Sequence, residues 1–145
     1  MDFMKSLDVS AAGLNAQRIR MNLISHNLAN VNTTRTAEGG PYKRKDALFE
    51  TVEPPADFKE ALHSRMEAYL RQVQVSEIRE DNRPPIRKYD PTHPDADESG
   101  YVSLPNINVV EEMVNMMSAS RSYEANVTAV KTTKDMAMTA LEIGR

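Results

Sequence analysis

Both ends of this chain carry apolar residues at helical spacing over lengths that the sequence between them is too short to cover. The N-terminal stripe is Leu7, Ala11, Leu14, Met21, Ile24, Leu28 and Val31, with Arg18 where an apolar residue is due. The C-terminal stripe is Val109, Met113, Met116, Tyr123, Val127, Val130, Ala137 and Leu141, with Ser120 and Lys134 at the two remaining positions. Steps of three, four or seven put side chains on one helical face. Their sustained alternation argues for a coiled-coil-like seam. At ~1.5 Å per residue, helices of about 26 and about 35 residues are roughly 39 and 52 Å long. Two core helices of an ordinary globular domain are the commoner explanation of such stripes, but 145 residues cannot wrap rods of that length. The pattern describes a chain that joins neighbours through its ends.

The N-terminal helix is expected to begin within the first residues, capped by Asp2 or Ser6, with Asp8 near the positive helix end. Gly13 inside it costs roughly 1 kcal/mol relative to Ala, unless a neighbour packs close there. Asn30, Asn32, Thr33 and Thr34 read as its stop, Asn because it tolerates the left-handed conformation. Gly39-Gly40-Pro41 follows as a turn. Strands are expected at 42–52, with Leu48, Phe49 and Val52 facing a core, then around Val73, Val75 and Ile78, at 86–89 and at 100–104. Pro54-Pro55 breaks the first, and 57–71 reads as a weak helix or an insertion. Asn108 followed by Glu111 is a capping-box start for the C-terminal helix, and Gly144-Arg145 suits its end. The fold class is therefore mainly α, with terminal helices packed as a coiled-coil-like hairpin and a small antiparallel β element between them. The expected division is 1–35, 36–105 and 106–145.

Little in the sequence supports chemistry. His26, His63 and His93 lie on three separate elements without ligand spacing, and no nucleophile elbow or phosphate-cradling loop is present. There are no cysteines, hence no disulfide framework or thiolate zinc site. A net charge of −3 neither suggests nor forbids nucleic acid, and Lys43-Arg44-Lys45 is too small a cluster to make a nucleic-acid patch. The first residues lack the layout of a secretory signal, and no run approaches a membrane span. Asp95, Asp97, Ser99, Gly100 and Tyr101 match the first half of a calcium loop. Asn106 replaces the bidentate Glu, however, and a solvated acidic turn is the better account. No cofactor, catalytic residue or metal ligand is assigned.

Certain stretches resemble the bacterial flagellar rod and hook family. They are ISHNLANVNTTRT (24–36), GGPYKRK (39–45), YDPTHPDADESGYV (89–102), LPNINVVEEMVNMMSASRSYEANVTAVKTTKDM (104–136) and ALEIGR (140–145). The two ends and part of the middle are covered, and 58–71 fits least. The resemblance implies a non-enzymatic subunit of the basal-body proximal rod in the periplasm. It implies export without cleavage through the flagellar type III apparatus, and polymerisation that transmits torque. The implied partners are other copies, other rod proteins, the rod-base adaptor and the export apparatus, with no nucleic acid and no small-molecule substrate. Phe3 and Leu7 match the spacing of the family's apolar export motif, which helix packing explains as easily. Interface residues are then expected at Leu7, Leu14, Arg18, Met21, Ile24, Leu28 and Val31, and at Val109, Met113, Met116, Tyr123, Val127, Val130, Lys134 and Leu141. Arg18 and Lys134 are candidates for fixing register, and Asn27, Asn30, Asn32 and Thr33 form the motif turn. The rival classes are a cytosolic coiled-coil adaptor and a calcium-binding module.

Overall fold

The computed structural model describes residues 3–52 and 71–143. Helix α1 spans Phe3–Ala29, strands β1 and β2 span Lys45–Val52 and Gln72–Glu80, β3 and β4 span Ile86–Tyr89 and Tyr101–Leu104, and helix α2 spans Val109–Ile143. The 57–71 expectation falls, but for Arg71, outside the described residues, as do Asp2 and Gly144-Arg145.

The helices lie side by side and run in opposite directions. Asn27 of α1 meets Glu112 of α2, and Gly13 faces Asn126. The two contacts are equally spaced along both helices, so one register carries the pair and brings Phe3 alongside about Met136. The last turns of α2 extend past the described start of α1. Gly13 has its explanation here: a Cβ at that position would sit 3.1 Å from Asn126 Nδ2. Its missing side chain lets the helices approach closely, since interaxial distance is set by the side chains at the contact.

Helix α1 stops without a left-handed residue, contrary to expectation; among the described residues only Gly39, Gly40 and Gly100 have positive φ. Asn30 ends the helix instead with its side chain, donating from Nδ2 to the His26 carbonyl at 2.9 Å. The chain turns back through Gly39 and Gly40, where Thr36 N–H donates to the Gly40 carbonyl. The start of α2 shows the Asn108 half of the expected capping box: Asn108 Oδ1 accepts from the backbone N–H of Val110 and Glu111 at 3.0 and 3.4 Å.

All four strands appear, but as two separate antiparallel hairpins, β1–β2 and β3–β4. In β1–β2 the register shifts after Leu48: Leu48 faces Glu77 and Phe49 faces Val75, leaving Ser76 as the extra residue of a bulge. Leu48, Phe49 and Val52 are exposed, not buried, because a two-stranded ribbon has too little face to make a core of its own. In β3–β4, Tyr89 and Tyr101 pack edge to face with centroids 5.3 Å apart. Gly100 closes that hairpin at φ 78°, where a Cβ would lie 2.9 Å from the Tyr89 ring. Buried apolar side chains among the described residues are few: Ala16, Ile24, Val102, Ile107 and Ala119. No helix among them is long and apolar enough to cross a membrane.

Candidate assembly site

The helix pair is polar at the end where α1 stops and α2 starts. Among the described residues Asn27 and Glu112 have the two largest fully buried side chains, at 0% and 1% exposure. Asn27 Nδ2 donates to the Lys45 carbonyl at 2.8 Å and to Glu112 Oε2 at 3.1 Å. Its Oδ1 accepts from Lys45 N–H at 2.9 Å and from the Tyr42 hydroxyl at 3.2 Å. All four hydrogen-bonding positions of the amide are used. Arg44 Nε donates to Glu112 Oε1 at 2.8 Å, and Arg44 Nη1 to Asp46 Oδ2 at 3.0 Å. Burial opposes the Arg44 charge, but its bonds to Asp46 and Glu112 prevail and hold its pKa above the ordinary value. Burial raises the Tyr42 hydroxyl, with Glu80 and Glu112 adding to this against Lys45. A buried carboxylate is tolerated only when paired and hydrogen-bonded, and Glu112 is both. This lock ties the end of α1, the approach to β1 and the start of α2 into one unit.

The seam between the helices differs from the apolar stripes. On α2 the side chains shielded on the α1 side recur through Glu112, Met116, Ala119, Tyr123, Asn126, Val130, Thr133 and Ala137. Met116, Tyr123, Val130 and Ala137 belong to the apolar stripe; Glu112, Ala119, Asn126 and Thr133 do not. The intervening stripe members Met113, Val127 and Leu141 are exposed, at 53%, 44% and 72%, as is Lys134, while Val109 is half-buried. On α1 the shielded line includes Gly13, Ala16, Arg20, Ile24 and Asn27, while Leu7, Leu14, Met21, Leu28 and Val31 are half-buried. Arg18 is exposed and donates from Nη2 to Asn15 Oδ1 at 2.9 Å. In the motif turn, Thr33 Oγ1 donates to Asn30 Oδ1 at 3.1 Å, and Asn32 is exposed.

Small and polar residues therefore share the inside of the pair with Ile24, Met116, Tyr123 and Val130, while other large apolar residues face outward. Sequence reasoning missed Glu112, Arg44 and Tyr42. A signal was present: Glu112 lies four residues before Met116 and seven before Ala119, on the same helical line.

The basic cluster serves this chain's own acids, with Lys43 and Lys45 within 3.9 and 3.3 Å of Glu80. The acidic turn is likewise committed. Asp97 Oδ1 accepts from the backbone N–H of Ser99 and Tyr101, both at 2.9 Å. Asp97 Oδ2 takes Arg87 at 2.8 Å, and Asp95 accepts from Thr34 Oγ1 at 2.7 Å. Among the described residues no group of three or more carboxylates or histidines is arranged to hold a metal ion.

A helix pair held by a buried polar lock, with apolar side chains exposed on its outer side and no metal-holding cluster among the described residues, has the features of a structural subunit. Comparison with known proteins gives the particular family. The flagella basal body rod protein model matches residues 7–35, and the flagellar basal body rod FlgEFG protein C-terminal model matches 98–143. The flagellar basal-body rod protein FlgC of Borreliella burgdorferi is 45% identical over 149 residues, which is 99% of this chain and 98% of the relative. That of Bacillus subtilis is 46% identical over 97% of both, and that of Escherichia coli O6:H1 is 37% identical over the full length of both. The chain belongs to the flagellar basal-body rod protein family. It is a structural component of the flagellar basal body and not an enzyme.

Proposed function

We propose that this subunit polymerises with its neighbours in the proximal rod through the outward faces of α1 and α2. The observation that carries the proposal is the offset of the seam from the apolar stripe: Glu112, Ala119, Asn126 and Thr133 complete the inside, and Met113, Val127 and Leu141 are left outside. Large apolar side chains left in water at these positions gain about 1.5–3 kcal/mol each when covered. The helices form a coiled-coil-like hairpin whose second layer comes from other subunits. On this reading residues 1–35 and 106–145 form the assembly domain, and 36–105 a small outer domain built on the two hairpins. Leu7, Leu14, Met21, Val31, Met113, Val127 and Leu141 then face neighbours, with Arg18 and Lys134 in reach of acids on them. The neighbours are other copies, other rod proteins and the rod-base adaptor. The subunit reaches the periplasmic rod through the flagellar type III apparatus without cleavage, and once assembled it transmits torque.

An image reconstruction of isolated basal bodies tests this directly. The expected density has α1 and α2 in the inner tubular layer, with Met113, Val127 and Leu141 against other chains. Density with these side chains in solvent would refute the assignment. Hydrogen exchange on the isolated chain supplies a second test, because helix ends that lack tertiary partners are marginal in water. Rapid exchange is expected toward both termini, and strong protection throughout both helices would count against it.

A further inference from the structure

The outward face of α2 is not uniform. Over its first turns Val110, Met113, Val114 and Met117 are exposed at 69%, 53%, 54% and 55%. Their spacing is that of one helical stripe, and Arg121, one turn on, continues it with a positive charge. At the opposite end Met136, Met138, Leu141 and Ile143 are exposed at 61%, 53%, 72% and 81%. With about 3.6 residues per turn Met136 and Ile143 lie on one side of the helix, and Met138 and Leu141 on the opposite side. Apolar surface on two opposed sides of one helix needs cover from more than one direction. That end also extends past the described start of α1. Asp135, Met138 and Glu142 share one face there, which gives a carboxylate–apolar–carboxylate pattern. The two ends of α2 are thus complementary: a cationic residue closes the stripe at one, and acids flank the apolar residue at the other.

We propose that the Val110–Met117 stripe receives a helical end of this second kind from a neighbouring rod subunit. The incoming segment is apolar with a carboxylate on the contact face, and the carboxylate pairs with Arg121. This rests on the rod-subunit reading. The contact joins two unlike surfaces, so it propagates into an open helical array and does not close on itself.

The test is photo-crosslinking in motile cells from a benzophenone side chain placed at Val114 or, separately, at Met117, followed by isolation of basal bodies and mapping of the adducts. Adducts are expected on the last turns of a C-terminal helix of a rod subunit. Adducts confined to other segments, or none from assembled chain, overturn the proposal. In parallel, Val114→Asp and Met117→Asp should reduce the yield of rods by about tenfold, the scale of a central interface residue. Thr128→Asp, on the same outward face but beyond the stripe, should leave the yield within about twofold. Equal yields for all three variants, each with an unchanged helical signal in the isolated chain, would sink the docking stripe and leave the rod-subunit reading standing. Absence of the unmodified chain from basal bodies would remove that reading itself.

Discussion

Asn27 can be replaced by no other side chain without loss. Its amide offers two donors and two acceptor positions, and the structure uses all of them on Lys45, Tyr42 and Glu112. An aspartate would lose both donors and face the Glu112 carboxylate; a leucine would strand the Lys45 backbone groups. Asn27→Leu should therefore destabilise the isolated chain by about 3 kcal/mol, the upper range for buried polar groups left unpaired. Urea unfolding read by far-UV ellipticity checks this, and a loss well under 1 kcal/mol would show that the lock is dispensable. The opposite sign is expected at Gln17, whose Oε1 is buried without a hydrogen-bond partner. Gln17→Met removes that acceptor at similar volume and should stabilise by about 1 kcal/mol in the same assay. The resemblance singled out Asn27 as part of a motif turn, but neither of these roles is legible there. Whether a polar side chain is capped by solvent or locked in a core depends on what lies across from it.

Elements carry two further predictions. In the helix pair, Gly13 trades helix propensity for close approach to Asn126. Gly13→Ala alone should bring no gain, because its Cβ presses on the Asn126 amide. In an Asn126→Ala background the same change should recover about 1 kcal/mol, the propensity difference between the residues; equal effects in both backgrounds would refute the steric account. In the β3–β4 hairpin, the backbone N–H of Tyr101 chiefly depresses the Asp97 pKa; desolvation opposes it, and Ser99 N–H and Arg87 add to the depression. A carboxyl depressed in the folded state stabilises the fold above its unfolded pKa and loses that contribution as pH falls through the lower folded value. The hairpin closure should thus be intact at neutral pH and loosen only below the ordinary aspartate range. An NMR titration of the Tyr101 amide should report a midpoint below the value of an unstructured aspartate, and Asp97→Asn should flatten that titration. A midpoint at or above the unstructured value would remove the carboxylate from this role. The four strands were readable because β-branched and aromatic alternation survives in short segments. Their pairing into two ribbons was not, because pairing depends on where the polypeptide between them turns.

At the scale of the whole molecule, helix positions were legible and helix orientation was not. The heptad spacing placed both rods to within a few residues, since periodicity is a local property that 3.6-residue geometry imposes on any amphipathic helix. It left the rotation of α2 about its axis undetermined. The seam shares Met116, Tyr123, Val130 and Ala137 with the apolar stripe but completes itself with Glu112, Ala119, Asn126 and Thr133. A hydrophobic pattern cannot distinguish the face turned to its own chain from the one turned to a neighbour, because covering either yields the same free energy per unit area. Double substitution of Met113 and Val127 by Ser should accordingly leave the isolated chain's stability within about 1 kcal/mol, as exposed positions do, while impairing rod assembly in cells. A large stability loss in the isolated chain would show that these side chains already serve its own core. The chain's amino acids alone determined the two long rods and the four short strands found among the described residues, since each follows from local periodicity and residue chemistry. Only the tertiary structure decided which side of each rod is the inside, because that choice turns on the Asn27–Glu112–Arg44 contacts between residues far apart in sequence.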